Sequence, residues 1–518
     1  MENARQIGFD EKYDAVVVGA GLGGLTCGAL LAREGLKVLI VERHERPGGF
    51  STSFKRNGFD FQVPNLAFGC APGGTARTVM EYLGVDIGFK PVEPFHRYVY
   101  PEHDVIFGFG LDSFSERLKE EFVPRAADIK SFFQIIDKVR ARFDPRILRG
   151  PFSFGKMFGA AKVASHLYLG KTYQEALDRH FDDDRLKAIL STSWPCAGAP
   201  PWEVSAMAMM LHLSRAAEGA FLPEGGFCAL ADALTDAYLG FGGSMLLGHE
   251  VTSINTENGR VSGVEAHPRS KVASPVVISD GDSKRTFIKL VDRENFTHTF
   301  LDKIDAHPPS ASGLCVHLGI EGRPDRGGIG PGTLFYQPSY DTAAMFDSVS
   351  GKVEFPHPGS FAWMLSVHSL TDGSLAPPGC SCLSVTAPGV PYAFMKRWGV
   401  EPGGVRGDRY QEIKERYAEC VVQSVHQAFP GLIKDVRAYD VATPVTYERY
   451  TMALDGCWSD SAQVPRQTLL FRPGPTTSVK GLYIAGSKSS MGPGIGPAMV
   501  SGLLAADSVL KGKLKDLF

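Results

Sequence analysis

Tyr13-Asp14-Ala15-Val16-Val17-Val18 leads into Gly19-Ala20-Gly21-Leu22-Gly23-Gly24, a small-residue stretch follows, and Val38-Leu39-Ile40-Val41-Glu42 runs on to Pro47-Gly48-Gly49. An apolar strand enters a glycine turn, a helix follows, and a second strand closes on an acid eighteen residues past Gly24. That order is a dinucleotide-binding βαβ unit. Gly19 permits the tight turn and Gly21 lets backbone approach a pyrophosphate at the helix N-terminus, with Gly23 beside it. Gly24 lets helix pack on strand, and Glu42, followed by Arg43, can accept from a ribose hydroxyl. The Gly48-Gly49 turn lets the main chain pass close to a second, larger part of the cofactor, as extended FAD requires and as nicotinamide enzymes usually lack.

The other end of the chain carries a matching signal. Gly481-Leu482-Tyr483-Ile484-Ala485-Gly486 reads as a short buried strand running into the glycine-dense Ser487 to Ala498, and a small-residue helix, Met499 to Ala506, follows. A glycine loop opening a helix offers backbone N–H groups and a positive helix end, suited to the electron-rich pyrimidine edge of a flavin. The two glycine sites lie about 460 residues apart and must meet in one fold.

A chain of 518 residues, 43% hydrophobic and 21% charged, is too long for one core and indicates two or three connected domains. A formal charge of −3 gives no reason to expect nucleic acid. Nine scattered cysteines show no zinc spacing, so a reduced, cytoplasmic protein without a metal is expected. Met1 to Tyr13 is polar and charged, unlike a signal peptide, and the uncharged run Ala15 to Ala32 belongs to the βαβ unit rather than to a membrane span.

Nucleotide-like signals recur only in residues 1–75, 222–302 and 466–518, which are therefore expected to assemble one discontinuous Rossmann-type α/β domain for FAD. Within its middle piece Met245 to Leu247, Val251 to Ile254, Val261 to Glu265 and Val276 to Ser279 read as strands, with an Asn258-Gly259 hairpin. Residues 76–221 read as a largely helical cap, with helices at Leu186 to Ser191 and Ala206 to Leu213. Residues 303–465 read as an inserted mixed sheet on the substrate side, with strands at Ser312 to Ile320 and Cys382 to Thr386 and a helix from Tyr410 to Ala428.

Nearly end to end, the chain resembles the phytoene desaturase, carotenoid isomerase and retinol saturase group of the flavin amine oxidase superfamily. Besides the glycine sites, the likeness includes Pro200 to Ser205, Leu222-Pro223-Glu224-Gly225-Gly226, Val251 to Val264, Ala273 to Asp282, and Ala442 to Thr446. It implies FAD held without a covalent bond, with Val251 contacting the adenine through its backbone and Asp280, Gly486, Gly494 and Ile495 among the cofactor contacts. Departures are informative. Phe50 stands where most desaturases of this group carry Arg, which tilts the reading toward the isomerase and saturase branches. Ser487 replaces the usual acid that binds the ribityl chain, a weaker partner than a carboxylate. Phe61 to Asn65 replaces a glycine-containing segment.

No nucleophile elbow, zinc motif or clustered His and Asp is evident, and the dispersed histidines, His212 included, read as packed or exposed residues. The flavin is therefore expected to carry the chemistry. The expected reaction is desaturation, saturation or isomerisation at carbon–carbon double bonds of an apolar carotenoid, polyprenoid or other unsaturated lipid. With no second fingerprint for a nicotinamide, electrons leave to a quinone, oxygen or an electron-transfer protein, or return to the substrate. Wall candidates for the apolar pocket are Phe50, Phe68, Trp194, Trp202 and Phe227, and Glu224 is the candidate acid or base. Two alternatives stay open: an amine oxidase, for which Ser489 to Ile495 supplies no aromatic cage, and a flavin-binding partner protein without turnover. From Lys138 to Lys171, eight basic residues alternate with aromatic and aliphatic ones against the single acid Asp144. That segment reads either as a contact with the inner face of the membrane or as a solvated helical face.

Overall fold

The computed structural model describes residues 12–63, 70–142, 168–216, 218–268, 270–324, 328–401, 405–459, 461–468, 471–487, 489 and 491–518. Five short parallel strands stand in the order Leu482–Ile484, Val277–Ser279, Ala15–Val18, Val38–Val41, Ser244–Leu246. Every residue of Ala15–Val18 and Val38–Val41 is apolar and buried, as a parallel sheet covered on both faces demands. One face packs on the fingerprint helix Leu22–Arg33, the helix Phe227–Gly240 and the C-terminal helix Ile495–Val509. The other is covered by the antiparallel strands Glu250–Glu257, Arg260–His267 and Ser270–Ala273. Asn258 and Gly259, at φ 53° and 72°, form the two-residue turn that the hairpin reading expects.

The second sheet has seven strands: Val436–Ala442, Gly313–Glu321, Cys380–Pro388, Trp363–Ser366, Thr333–Tyr336, His96–Val99 and Asp104–Phe107. The amphipathic helix Asp408–Ala428 lays Tyr410, Tyr417, Val421 and Val425 on one of its faces and stops just before Pro430. The stretch expected to be largely helical also supplies two strands to this sheet, because His96–Val99 pairs in parallel with Thr333–Tyr336. Four-residue strands joined by a short connection leave little periodicity to read, and only the tertiary pairing makes them visible. Asp184–Ser191 and Ala206–Ala216 are the helices expected there, the first capped by Asp183, whose carboxylate accepts from the Arg185 and Leu186 amides.

Candidate functional site

The two glycine sites meet. A Cβ on Gly23 would lie 2.4 Å from the Gly486 amide nitrogen, and one on Gly486 would lie 2.0 Å from Asp280 Oδ1. Gly24 packs the helix against the strand end, since its Cβ would fall 2.3 Å from the Gly19 carbonyl oxygen. From this crossing a cavity of about 670 Å³ runs toward the helices within residues 76–221. Of the expected cofactor contacts, Gly19, Gly21, Gly23, Glu42, Arg43, Gly48, Gly49, Phe50, Val251, Asp280, Gly486, Ser487, Gly494 and Ile495 line it, whereas Gly24 stands behind the lining.

The sequence builds this wall by backbone. Gly48, at φ 119°, bridges in parallel to Gly21 and donates its amide to the Ala20 carbonyl at 2.8 Å, so the Gly48-Gly49 turn closes over the fingerprint. Glu42 accepts from the Ala20 amide through one carboxylate oxygen and from the His44 amide through the other, both at 2.7 Å. Each oxygen keeps a further lone pair, so a ribose hydroxyl has an acceptor already fixed in place. Arg43 donates to the Arg449 carbonyl. Gly21 and Gly494 begin their helices with no side-chain cap, and both helix starts face the cavity. Two uncapped, positive helix ends in one cavity fit the diphosphate and the pyrimidine edge of a flavin dinucleotide. Sequence reasoning missed Arg472: buried, it donates to the Ser461, Ser487 and Ser489 carbonyls at 2.9–3.1 Å and holds the Ser487 turn in shape.

The aromatic wall of the cavity differs from the expected one. Trp194 and Trp202 pack edge-on against Phe346, and Phe227 is fully buried against His368; none of the three reaches the cavity. Burial in cores is the ordinary use of a large aromatic. Phe68 lies outside the described residues. Glu224 is exposed on a turn beside Gly88 and away from the cavity, which removes the reason to regard it as an acid or base. Instead Tyr447 and Trp458 join Phe50, with ring centroids 6.0 Å apart for Phe50 and Tyr447 and 6.3 Å for Tyr447 and Trp458. Burial pushes the Tyr447 phenol well above its ordinary range, so it stays protonated. The aromatic residues that Ser489 to Ile495 lacks thus come from another part of the chain.

Beyond them lie Pro195, Cys196, Leu211, His212, Ser214, Arg215 and Met364, with Arg140 and Glu218 at the exposed margin. His212 therefore lines the cavity, though burial, aided by Arg215, holds its imidazole down to about 4 and so neutral. Ala206 to Leu213 were legible as a helix, but nothing in their spacing marks a cavity. Among the described residues, no group of three His, Cys, Asp or Glu side chains could hold a metal ion, and no helix is long and apolar enough to cross a membrane.

Residues 17–83 match the model of an NAD(P)-binding Rossmann-like domain. The chain is 25% identical over 517 residues to prolycopene isomerase 2 of an Oncidium hybrid cultivar, covering 96% of this chain and 84% of the relative. It is 25% identical over 522 residues to a lycopene-forming phytoene desaturase of Pantoea ananas, covering 97% and 99%. An all-trans-retinol 13,14-reductase of Danio rerio is 24% identical over 501 residues, with 92% and 82% covered. Among solved structures, an oxidoreductase from Methanosarcina mazei superposes with a TM-score of 0.65 at 18% identity, over 96% of this chain and 99% of that one. Cyclohexylamine oxidase from Brevibacterium oxydans superposes with a TM-score of 0.63 at 15% identity, over 97% and 99%. The chain is thus similar, along nearly its whole length, to phytoene desaturases, prolycopene isomerases and a retinol reductase, on a fold it shares with an amine oxidase.

Proposed function

We propose that the protein is an FAD-dependent oxidoreductase acting on carbon–carbon double bonds of an elongated, apolar, unsaturated lipid of carotenoid or polyprenoid type. One observation carries this reading: a chain similar end to end to carotenoid and retinol enzymes holds a cavity running from its glycine crossing into a wall of Leu211, Met364, Phe50 and Trp458. FAD would be held without a covalent bond by Gly19, Gly21, Gly23, Glu42, Gly48, Gly49, Val251, Asp280, Gly486, Ser487, Gly494 and Ile495. When bound, the flavin supplies hydride transfer to or from a neighbouring carbon. The chain's own part is to hold and to exclude: the uncapped helix ends hold the anionic and electron-rich groups, and Phe50, Tyr447 and Trp458 keep water from an apolar chain. Desaturation, saturation and isomerisation all use this geometry. Where electrons leave, a quinone, oxygen or an electron-transfer protein takes them.

The Tyr447–Trp458 pair supports a second reading, oxidation of a small amine, since aromatic walls also suit amines. Surface contact with the cytoplasmic face of a membrane through residues 138–171 rests on sequence alone, because 143–167 lie outside the described residues. Purified protein is expected to be yellow and to release FAD on denaturation. Anaerobic titration with product analysis then separates the classes: bleaching of the oxidised flavin by a polyene, reoxidation of the reduced flavin by one, or a polyene isomer formed without either supports the proposal, bleaching by amines alone supports the second reading, and none of these across a full panel indicates a flavin-binding protein without turnover.

A further inference from the structure

Resting on the double-bond reading of this cavity, we propose that its substrate is an amphiphile: an unsaturated chain inserted tail first, with an anionic head group held at the margin by Arg215 and Arg140. The two arginines come from different helices, Ala126–Arg142 and Ala206–Ala216, and both line the one cavity. Arg140 and Glu218 are exposed, so the cavity reaches solvent beside them, and Arg215 stands deeper, part-buried next to Leu211 and His212. A tail entering past the arginines meets Leu211, Met364 and Trp458 before the glycine crossing.

Two guanidinium groups are poorly suited to a pure hydrocarbon. Enclosing Arg215 costs free energy unless an anion faces it, and burial does press its guanidinium below the ordinary range while Glu218 draws it back. Among the described residues Glu218 is the one acid on this part of the wall, and it feels both Arg215 and Arg140. Asp137 meets Arg140 at 3.3 Å from the same helix, without lining the cavity, whereas Arg215 has no carboxylate within 4.0 Å among the described residues. A guanidinium fork receives a carboxylate through two parallel N–H bonds, and a phosphate similarly.

The test uses flavin-loaded protein and matched polyene probes that differ only in the head: carboxylic acid, methyl ester, primary alcohol, phosphate monoester, and hydrocarbon, with binding read from the flavin difference spectrum. The acid is expected to bind at least tenfold tighter than the ester, Arg215→Gln to bring that ratio near one, and Arg215→Lys to restore part of it. Arg140→Gln, expected to lower the ratio severalfold, serves if Arg215→Gln loses its flavin. A phosphate preferred over the acid keeps the anionic head and assigns it to a phosphorylated lipid. Equal binding of acid, ester and hydrocarbon, or an acid-to-ester ratio untouched by both arginine variants, overturns the head-group inference while leaving the double-bond reading intact. Binding of no probe at all overturns both.

Discussion

Gly23 and Gly486, about 460 residues apart in sequence, stand so close that a Cβ on Gly23 would lie 2.4 Å from the Gly486 nitrogen and 2.6 Å from its Cα. Both contacts are with backbone, which cannot swing aside. Gly23→Ala is therefore expected to force the fingerprint helix off the C-terminal turn, lowering flavin content and thermal midpoint together, with a cost of ~1–3 kcal/mol. Flavin-to-protein absorbance ratio and a thermal melt check it; a variant with wild-type values in both would mean that the two sites tolerate separation.

Glu42 and Gly21 act differently. Gly21→Val places a side chain where a Cβ alone would come 2.4 Å from Asp280 Oδ2, and flavin binding should be lost. Glu42→Ala removes the acceptor proposed for a ribose hydroxyl and that for the Ala20 and His44 amides, so flavin affinity should fall by the equivalent of about 1.5–3 kcal/mol, while Glu42→Gln keeps one side-chain oxygen to accept from a backbone amide and falls less. Flavin dissociation constants from fluorescence quenching rank the three. Equal small effects from Gly21→Val and Glu42→Ala would place the cofactor elsewhere.

Acid should destabilise this fold. Burial holds His96 and His317 down to about 3, and burial with Arg215 holds His212 down to about 4, against about 6.5 in an unfolded chain. The unfolded state thus takes up protons that the folded state refuses. Stability is full above about pH 6.5 and falls as pH drops toward 4. His317 donates to or accepts from Ser384 Oγ at 3.0 Å, so His317→Gln keeps a partner there and removes the titration. Its urea midpoint is expected to fall less than wild type between pH 7.5 and pH 5; equal falls would show that this burial is not linked to stability.

The fingerprint was legible because its chemistry is local: strand, turn, helix, strand and acid follow one another within Tyr13 to Glu42, and spacing alone carries them. The hairpin at Asn258-Gly259 and the helix Asp408–Ala428 were legible for the same reason, through turn chemistry and apolar periodicity. Of the cavity wall, Phe50 alone was legible. Met364 and the 447–458 stretch that carries Tyr447 and Trp458 meet it only through packing, and a large aromatic such as Trp194 or Phe227 has the same sequence signature in a core as on a cavity. Arg472 carried no signal because the turn it holds is reached through backbone carbonyls, which any sequence supplies.

Trp458 offers the wall's clearest probe. It is part-buried, lines the cavity, and touches Tyr447 edge-on. Trp458→Ala should weaken polyene binding tenfold or more, since removing a large aromatic from an apolar wall costs roughly 2 kcal/mol or more, with flavin content kept. Loss of flavin with no change in polyene affinity would move Trp458 to the cofactor side.

The central claim is tested most directly by incubating flavin-loaded protein with defined polyenes and resolving the products by mass and by double-bond geometry. The account predicts a product two hydrogens lighter with the flavin oxidised, two hydrogens heavier with the flavin reduced beforehand by dithionite, or one of equal mass with a changed double bond, formed only when flavin is present. Unchanged polyene across the panel, beside aldehyde and peroxide formed from an amine, would contradict it.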